Sequence, residues 1–178
     1  QIIPTNWQQR ERLREKGQFW TPFWVAEAML QYVCDSDLIF DPAVGNGSFL
    51  NAFGKTDFPT FLFTARKFKS IVSNPPYIRH HRIDEETKKW LKNLTARITG
   101  FSIDGRAGYH IYFLIQALNL LENGGKLAII LPADVCEGIF ADKLWRWITE
   151  KFCVEAVVTF DENAAPFPSL DTNAICFF

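Results

Sequence analysis

Four consecutive residues, Asn74-Pro75-Pro76-Tyr77, follow an apolar run, Phe68 to Ser73, that reads as a buried strand. Proline fixes φ and lacks an N–H, and Pro76 holds Pro75 extended, so the turn is stiff and its carbonyls point outward. The Asn74 side-chain oxygen and the Pro75 carbonyl are then two acceptors able to converge on one NH₂ group, with the flat Tyr77 ring beside them. This chemistry suits the exocyclic amine of an aromatic base, a poor nucleophile because its lone pair is delocalised into the ring. Two fixed acceptors draw its hydrogens out of the ring plane and localise that lone pair for in-line attack. The interaction strengthens as positive charge develops on nitrogen, so it favours the transition state over the ground state. A plain strand terminator explains the two prolines but not the Asn and Tyr that flank them.

A second constellation, Asp41-Pro42-Ala43-Val44-Gly45-Asn46-Gly47, closes the short apolar run Leu38-Ile39-Phe40. Its glycines let the backbone pass close to a ligand, and a following helix would present unpaired N–H groups. Asp41 at the strand tip adds a carboxylate, which suits a ligand carrying an ammonium group. The spacing is not G-x-G-x-x-G, and a carboxylate repels a pyrophosphate, which argues against NAD. The same residues would also serve as an ordinary capped strand-to-helix turn.

The elements that must position these groups alternate. Thr5 with Gln8 predicts a capped, charged helix ending near Gly17. Thr21-Pro22 predicts a second start, with Thr21 at the cap and Pro22 at the first helical position. Phe23, Ala26, Met29, Leu30 and Val33 follow at helical spacing. Strands are expected at 38–40, 61–63, 68–73, 126–131, 154–160 and 173–178, and helices at about 48–53, 84–97, 107–121 and 139–150. Apolar strands alternating with helices imply an α/β fold, a doubly wound, mostly parallel sheet covered on both faces. Ligands then bind beyond the carboxyl ends of the strands, where Asp41-Pro42, Asn74-Pro75 and Pro132 all fall.

The bulk numbers fit one soluble domain: 178 residues, 48% hydrophobic and 22% charged. No apolar run approaches the ~20 residues of a membrane span. Gln1 at the start and Phe177-Phe178 inside a strand-like run read as fragment boundaries. Cys34, Cys136, Cys153 and Cys176 lie far apart without a Cys-x-x-Cys pair, which predicts buried, reduced thiols in a cytoplasmic protein. No metal site is expected, since His80 and His81 are flanked by Arg79 and Arg82 and His110 lies in an apolar segment. A net charge of −1 gives no overall nucleic-acid signature, although basic clusters occur at 10–16 and 79–82.

The order Phe19-Trp20-Thr21-Pro22, then Asp41 to Gly47, then Asn74 to Tyr77 resembles the γ-group of bacterial N6-adenine DNA methyltransferases, S-adenosylmethionine-dependent enzymes of restriction–modification systems. The likeness continues through Tyr109-His-Ile-Tyr-Phe113, Gly124 to Pro132 and Pro166-Phe167-Pro168, nearly the whole chain. The Asn-Pro-Pro-Tyr motif is shared with glutamine and some RNA methyltransferases; the Thr-Pro helix start ahead of the glycine loop is the γ order. The resemblance implies a Rossmann-like class I methyltransferase fold. It places S-adenosylmethionine against Thr21, Asp41, Pro42, Gly45 and Gly47, with Asp57 and Phe58 at the cofactor's adenine. Asn74, Pro75, Pro76 and Tyr77 would carry catalysis, with Tyr77 and Phe167 stacked on opposite faces of an adenine flipped out of double-stranded DNA. With 17 Phe in the chain, Phe167 also reads as a core residue.

Two departures from the family pattern stand out. The interval from Ser48 to Lys69 has room for one short helix and one strand, where the family fits two strand–helix units. The family's target-recognition domain, which follows the last strand, is absent from 1–178. The expectation is one catalytic domain, with N-terminal helices over 1–35 and a sheet core over 36–178, in the bacterial cytoplasm. A recognition domain or subunit and a restriction endonuclease are its expected partners. The alternatives are an amino-group methyltransferase acting on RNA or protein glutamine, and a non-catalytic remnant. A cytosine-C5 enzyme is disfavoured because Cys136 follows a valine rather than a proline.

Overall fold

Side chains of consecutive strand residues point to opposite faces, and that alternation divides the core in two. The computed structural model describes residues 20–33, 38–45, 47–49, 64–161, 167 and 173–178. The helix expected over 5–17 with its basic cluster, Phe19, Cys34, Asn46, most of the helix expected at 48–53, Asp57, Phe58, the strand expected at 61–63, Pro166 and Pro168 lie outside these residues.

Helix α1 spans Phe23–Val33, and strands β1 and β2 span Ile39–Phe40 and Phe68–Ser73. After a 3₁₀ turn at His80–Arg82 come α2 (Glu85–Thr99) and α3 (Tyr109–Asn119). Strand β3 (Leu121–Pro132), α4 (Asp134–Glu137), α5 (Ala141–Lys151), β4 (Val157–Thr159) and β5 (Ala174–Phe177) complete the order. The described strands form one sheet in the order β1-β2-β3-β5-β4. β1, β2 and β3 are parallel, whereas β5 runs antiparallel to both of its neighbours. The expected mostly parallel sheet is therefore present, with one reversed strand inserted between β3 and β4.

On one face, Ile71, Ile129, Leu131, Ile175 and Phe177 pack with α2, α3 and α5; on the other, Val72, Ala128, Ile130, Ala174 and Cys176 pack with Val25, Ala26, Met29 and Val33 of α1. α3 is buried nearly all round, from His110 to Leu118. α2 is capped at both ends. Asp84 accepts from Thr87 N at 2.8 Å, and Gly100 closes the helix at φ +84°.

Several boundaries move. β3 begins at Leu121, ahead of the expected 126, because Glu122 to Gly125 form a bulge between the Phe68 and Ser70 register positions. Gly125 has no room for a side chain there, since a Cβ would meet Lys69 O at 2.9 Å and Glu122 O at 3.0 Å. β4 keeps only three residues of the expected 154–160, all exposed at the sheet edge. The cysteine expectation needs correction. Cys176 is buried, but Cys136 and Cys153 are exposed, on or just beyond helices whose apolar faces point elsewhere. No helix among the described residues is long and apolar enough to cross a membrane.

Candidate active site

The β1–β2 register pairs Phe40 with Ile71, so Asp41 lies one residue beyond the paired strand, level with the carboxyl end of β2. Asp41 is fully buried. Its Oδ1 accepts from Ala43 N at 2.9 Å, the short turn that Pro42 and the glycines permit. Among the described residues its Oδ2 has no hydrogen-bond partner and is buried, as is the Ser73 hydroxyl at the end of β2. Burial pushes the Asp41 carboxyl up to about 7; the Ala43 amide and the nearby Ser73 hydroxyl offset this only in part. A buried carboxylate oxygen lacking a donor is a place for a cation or an N–H donor that the described residues do not supply. Pro42 is buried, while Gly45 (φ +52°) and Gly47 (φ +80°) adopt left-handed conformations that carry the chain around the turn. Val44 O accepts from Gly47 N at 2.8 Å.

The next strand supplies the second half. Asn74 Nδ2 donates to Thr21 Oγ1 at 3.1 Å, joining the loop after β2 to the start of α1. The Asn74 amide oxygen is out of solvent, Pro75 is buried, and Pro76 is half-buried. The first helical hydrogen bond of α1 runs from Ala26 N to Pro22 O, so the cap falls at Pro22, one residue later than expected. Thr21, itself buried, spends its hydroxyl on Asn74. Tyr77 is half-buried and its hydroxyl donates to Ile130 O of β3 at 3.2 Å. Burial holds the Tyr77 phenol well above its ordinary pKa, with lesser contributions from Cys176 and Asp134, so it remains a hydrogen-bond donor at any physiological pH.

Two residues outside the expected set join this group. His110, in the first turn of α3, contacts Asp134 Oδ1 through Nε2 at 3.0 Å and lies edge-on to the Tyr77 ring, at 6.2 Å between centroids and 73° between planes. Gly108 makes space for the imidazole, because a Cβ there would stand 2.7 Å from His110 Cε1. A carboxylate just past the end of β3 was legible by the rule that singled out Asp41 and Asn74.

The remaining expected residues are placed less completely. Phe167 is half-buried and packs against the apolar cluster under α1. Asp57 and Phe58 lie outside the described residues. A cleft of about 380 Å³ lined by Asn123, Lys126, Lys151, Cys153, Glu155 and Phe178 opens near the amino end of β3, away from the strand tips that carry the polar groups. Among the described residues no three His, Cys, Asp or Glu side chains converge as a metal site.

The family model for the Eco57I restriction-modification methylase matches residues 5–167. Among curated proteins, the Type II methyltransferase M.HincII of Haemophilus influenzae is 26% identical over 149 residues, which are 84% of this chain and 27% of that protein. The Type II methyltransferase M.BstVI of Geobacillus stearothermophilus is 31% identical over 113 residues, 60% of this chain and 19% of its own length. The chain thus spans about a quarter of the first of these relatives and less of the second. Among solved structures, the type I restriction-modification methyltransferase subunit from Streptococcus thermophilus superposes with a TM-score of 0.66 at 17% identity, over 89% of this chain and 44% of that one. A Listeria monocytogenes protein described as a class I S-adenosylmethionine-dependent methyltransferase gives 0.64 at 16% identity, over 96% of this chain and 65% of its own. The fold is that of class I methyltransferases.

Proposed function

Because the chain belongs to the Eco57I restriction-modification methylase family, we propose that it forms the catalytic core of an S-adenosylmethionine-dependent DNA methyltransferase acting on the N6 amine of adenine. The observation that carries this reading is the pairing of two groups at neighbouring strand tips. One is a fully buried Asp41 with an oxygen left unsatisfied among the described residues; the other is an Asn-Pro-Pro-Tyr turn clamped by Thr21 and Ile130. Adjacent strands lie about 4.8 Å apart, so a cofactor seated on the first would present its far end beside the second.

S-adenosylmethionine fits the Asp41 site, because its ammonium would satisfy the orphaned Oδ2, and the chemistry it supplies is an electrophilic sulfonium methyl. Asp41, Pro42, Gly45 and Gly47 would hold the methionine portion, with Thr21 alongside and Asp57 and Phe58 at the adenine. Asn74 and Pro75 would accept the two hydrogens of the target amine. Shielding from water strengthens such acceptors, and they act most strongly when the nitrogen becomes positive. Tyr77 would stack on the flipped adenine, with Phe167 on the opposite face. Flipping costs a few kcal/mol, and stacking contributes roughly 1–3 kcal/mol per base, so two rings would offset most of it.

The Thr-Pro start ahead of the glycine loop supports the γ order, and the single sheet supports one catalytic domain over 1–178. Double-stranded DNA, a recognition domain or subunit and a restriction endonuclease are the proposed partners, in a bacterial cytoplasm. With a net charge of −1, the core alone should bind DNA weakly. The test is to incubate the chain with methyl-labelled S-adenosylmethionine and, in separate reactions, DNA, RNA and protein. Label in DNA is the expected result. Label confined to RNA or protein would reassign the substrate, and no label together with no cofactor binding by calorimetry would make the chain a non-catalytic remnant.

A further inference from the structure

We propose that His110 and Asp134 act as a positioning pair that fixes the Tyr77 ring as a platform for the target base. The proposal rests on the reading of Tyr77 as the stacking residue and assigns its support. His110 is 4% exposed within a helix that, apart from Gln116, is buried mainly through apolar and aromatic side chains. A leucine or phenylalanine would fill such a position without a polar cost. The imidazole instead leaves Nδ1 buried without a hydrogen-bond partner among the described residues. What it gains is on the other nitrogen. Nε2 faces Asp134 Oδ1 at 3.0 Å, and a carboxylate there selects the tautomer that carries its proton on Nε2.

The geometry ties three elements to the loop after β2. Asp134, with its side chain half-exposed, starts α4 just past the end of β3. His110 belongs to α3 and meets the Tyr77 ring edge-on. In the residues next to this pair, Tyr109 N donates to Ile78 O at 2.9 Å, and Gly108 leaves no space between His110 and Ile78 that a Cβ could occupy. The Tyr77 hydroxyl is fixed separately, on Ile130 O. One contact thus holds the tip of Tyr77 and another its ring plane. A stacking platform needs both restraints, because a ring free to rotate must be ordered each time a base arrives.

The test is a double-mutant cycle on the intact chain, with His110→Leu, Asp134→Ala and the double variant, read as KM for mixed-sequence duplex DNA, kcat, and the dissociation constant for S-adenosylmethionine. Each single change is expected to raise KM for DNA by about 3- to 10-fold, the range of one aromatic contact, while cofactor affinity moves less than about twofold. The double variant should be no worse than the more affected single one, since both remove the same restraint. Asp134→Asn, which keeps an acceptor for Nε2, should recover most of the loss. Asp134 is half-exposed, so its variants remain folded and informative even if His110→Leu does not. Independent, multiplicative effects, or equal losses in cofactor affinity, would overturn the pair. A wild-type chain that binds cofactor but transfers nothing to DNA would overturn the platform reading itself, and the pair's role with it.

Discussion

Replacing Asp41 by Asn should make the cofactor-free protein more stable at alkaline pH while abolishing the proposed cofactor binding. The Asp41 carboxyl titrates at about 7 in the fold against an ordinary 3.8, chiefly because burial penalises its charge. The native state therefore holds this proton more tightly than the unfolded chain does. The stability it contributes is fully present below pH 4 and is lost as pH rises through 7. Ionising it in the fold above pH 7 costs about 4 kcal/mol as a ceiling, at about 1.36 kcal/mol per pH unit. Asn keeps the acceptor for Ala43 N and has no charge to bury. Its NH₂ would lack an acceptor, a pH-independent cost of about 1–3 kcal/mol. The absolute offset between the two proteins thus matters less than its slope. Between pH 4 and pH 8 the variant should gain on the wild type by up to about 4 kcal/mol, or about 8–15 °C in relative Tm for a chain of this size. Thermal melts without cofactor across that range measure it, and S-adenosylmethionine should raise the Tm of the wild type only. Parallel pH curves for the two proteins would refute the claim that Asp41 is a buried carboxylate awaiting a cation.

Asn74→Ala should lower methyl transfer at least about 100-fold, the scale of losing one fixed transition-state group, with cofactor affinity by calorimetry changed less than about fivefold. Thr21→Val removes the acceptor for Asn74 Nδ2 and should cost about 1–3 kcal/mol in denaturant unfolding, with kcat falling more than cofactor affinity. Gly108→Ala drives a methyl into His110 Cε1 at 2.7 Å and Ile78 O at 3.0 Å, so Tm should drop by several degrees; an unchanged Tm would show that the loop is slack. On the proposed reading, cofactor affinity should improve up to about tenfold per pH unit from pH 5 to 7, as Asp41 ionises, and level off above.

The strand tips were legible because Asp41-Pro42 and Asn74-Pro75 each break an apolar run with a residue that cannot continue it, and strand ends are where an open α/β sheet binds ligands. Partners were not legible. Asn74 and Thr21 are separated by 53 residues, and nothing in the local pattern of either says that they meet. His110 reads as a stray polar residue in an apolar helix until Asp134, 24 positions on, is brought against it. Strand direction was equally hidden, since the alternation of Ala174-Ile175-Cys176-Phe177 is the same whichever way β5 runs. Phe167 shows the limit for aromatic residues: the sequence allowed both a stacking and a core reading, and the fold leaves the ring half-buried against the cluster under α1.

The proposed mechanism requires an amine acceptor held beside the Asp41 carboxylate, and the identity of the methylated atom tests that most directly. The measurement is mass-spectrometric analysis of nucleosides after the chain has been incubated with labelled S-adenosylmethionine and mixed-sequence DNA. The account predicts label as N6-methyladenine, absent when Asn74 is replaced by alanine. Label on cytosine C5, or N6-methyladenine that persists in the alanine variant, would contradict it.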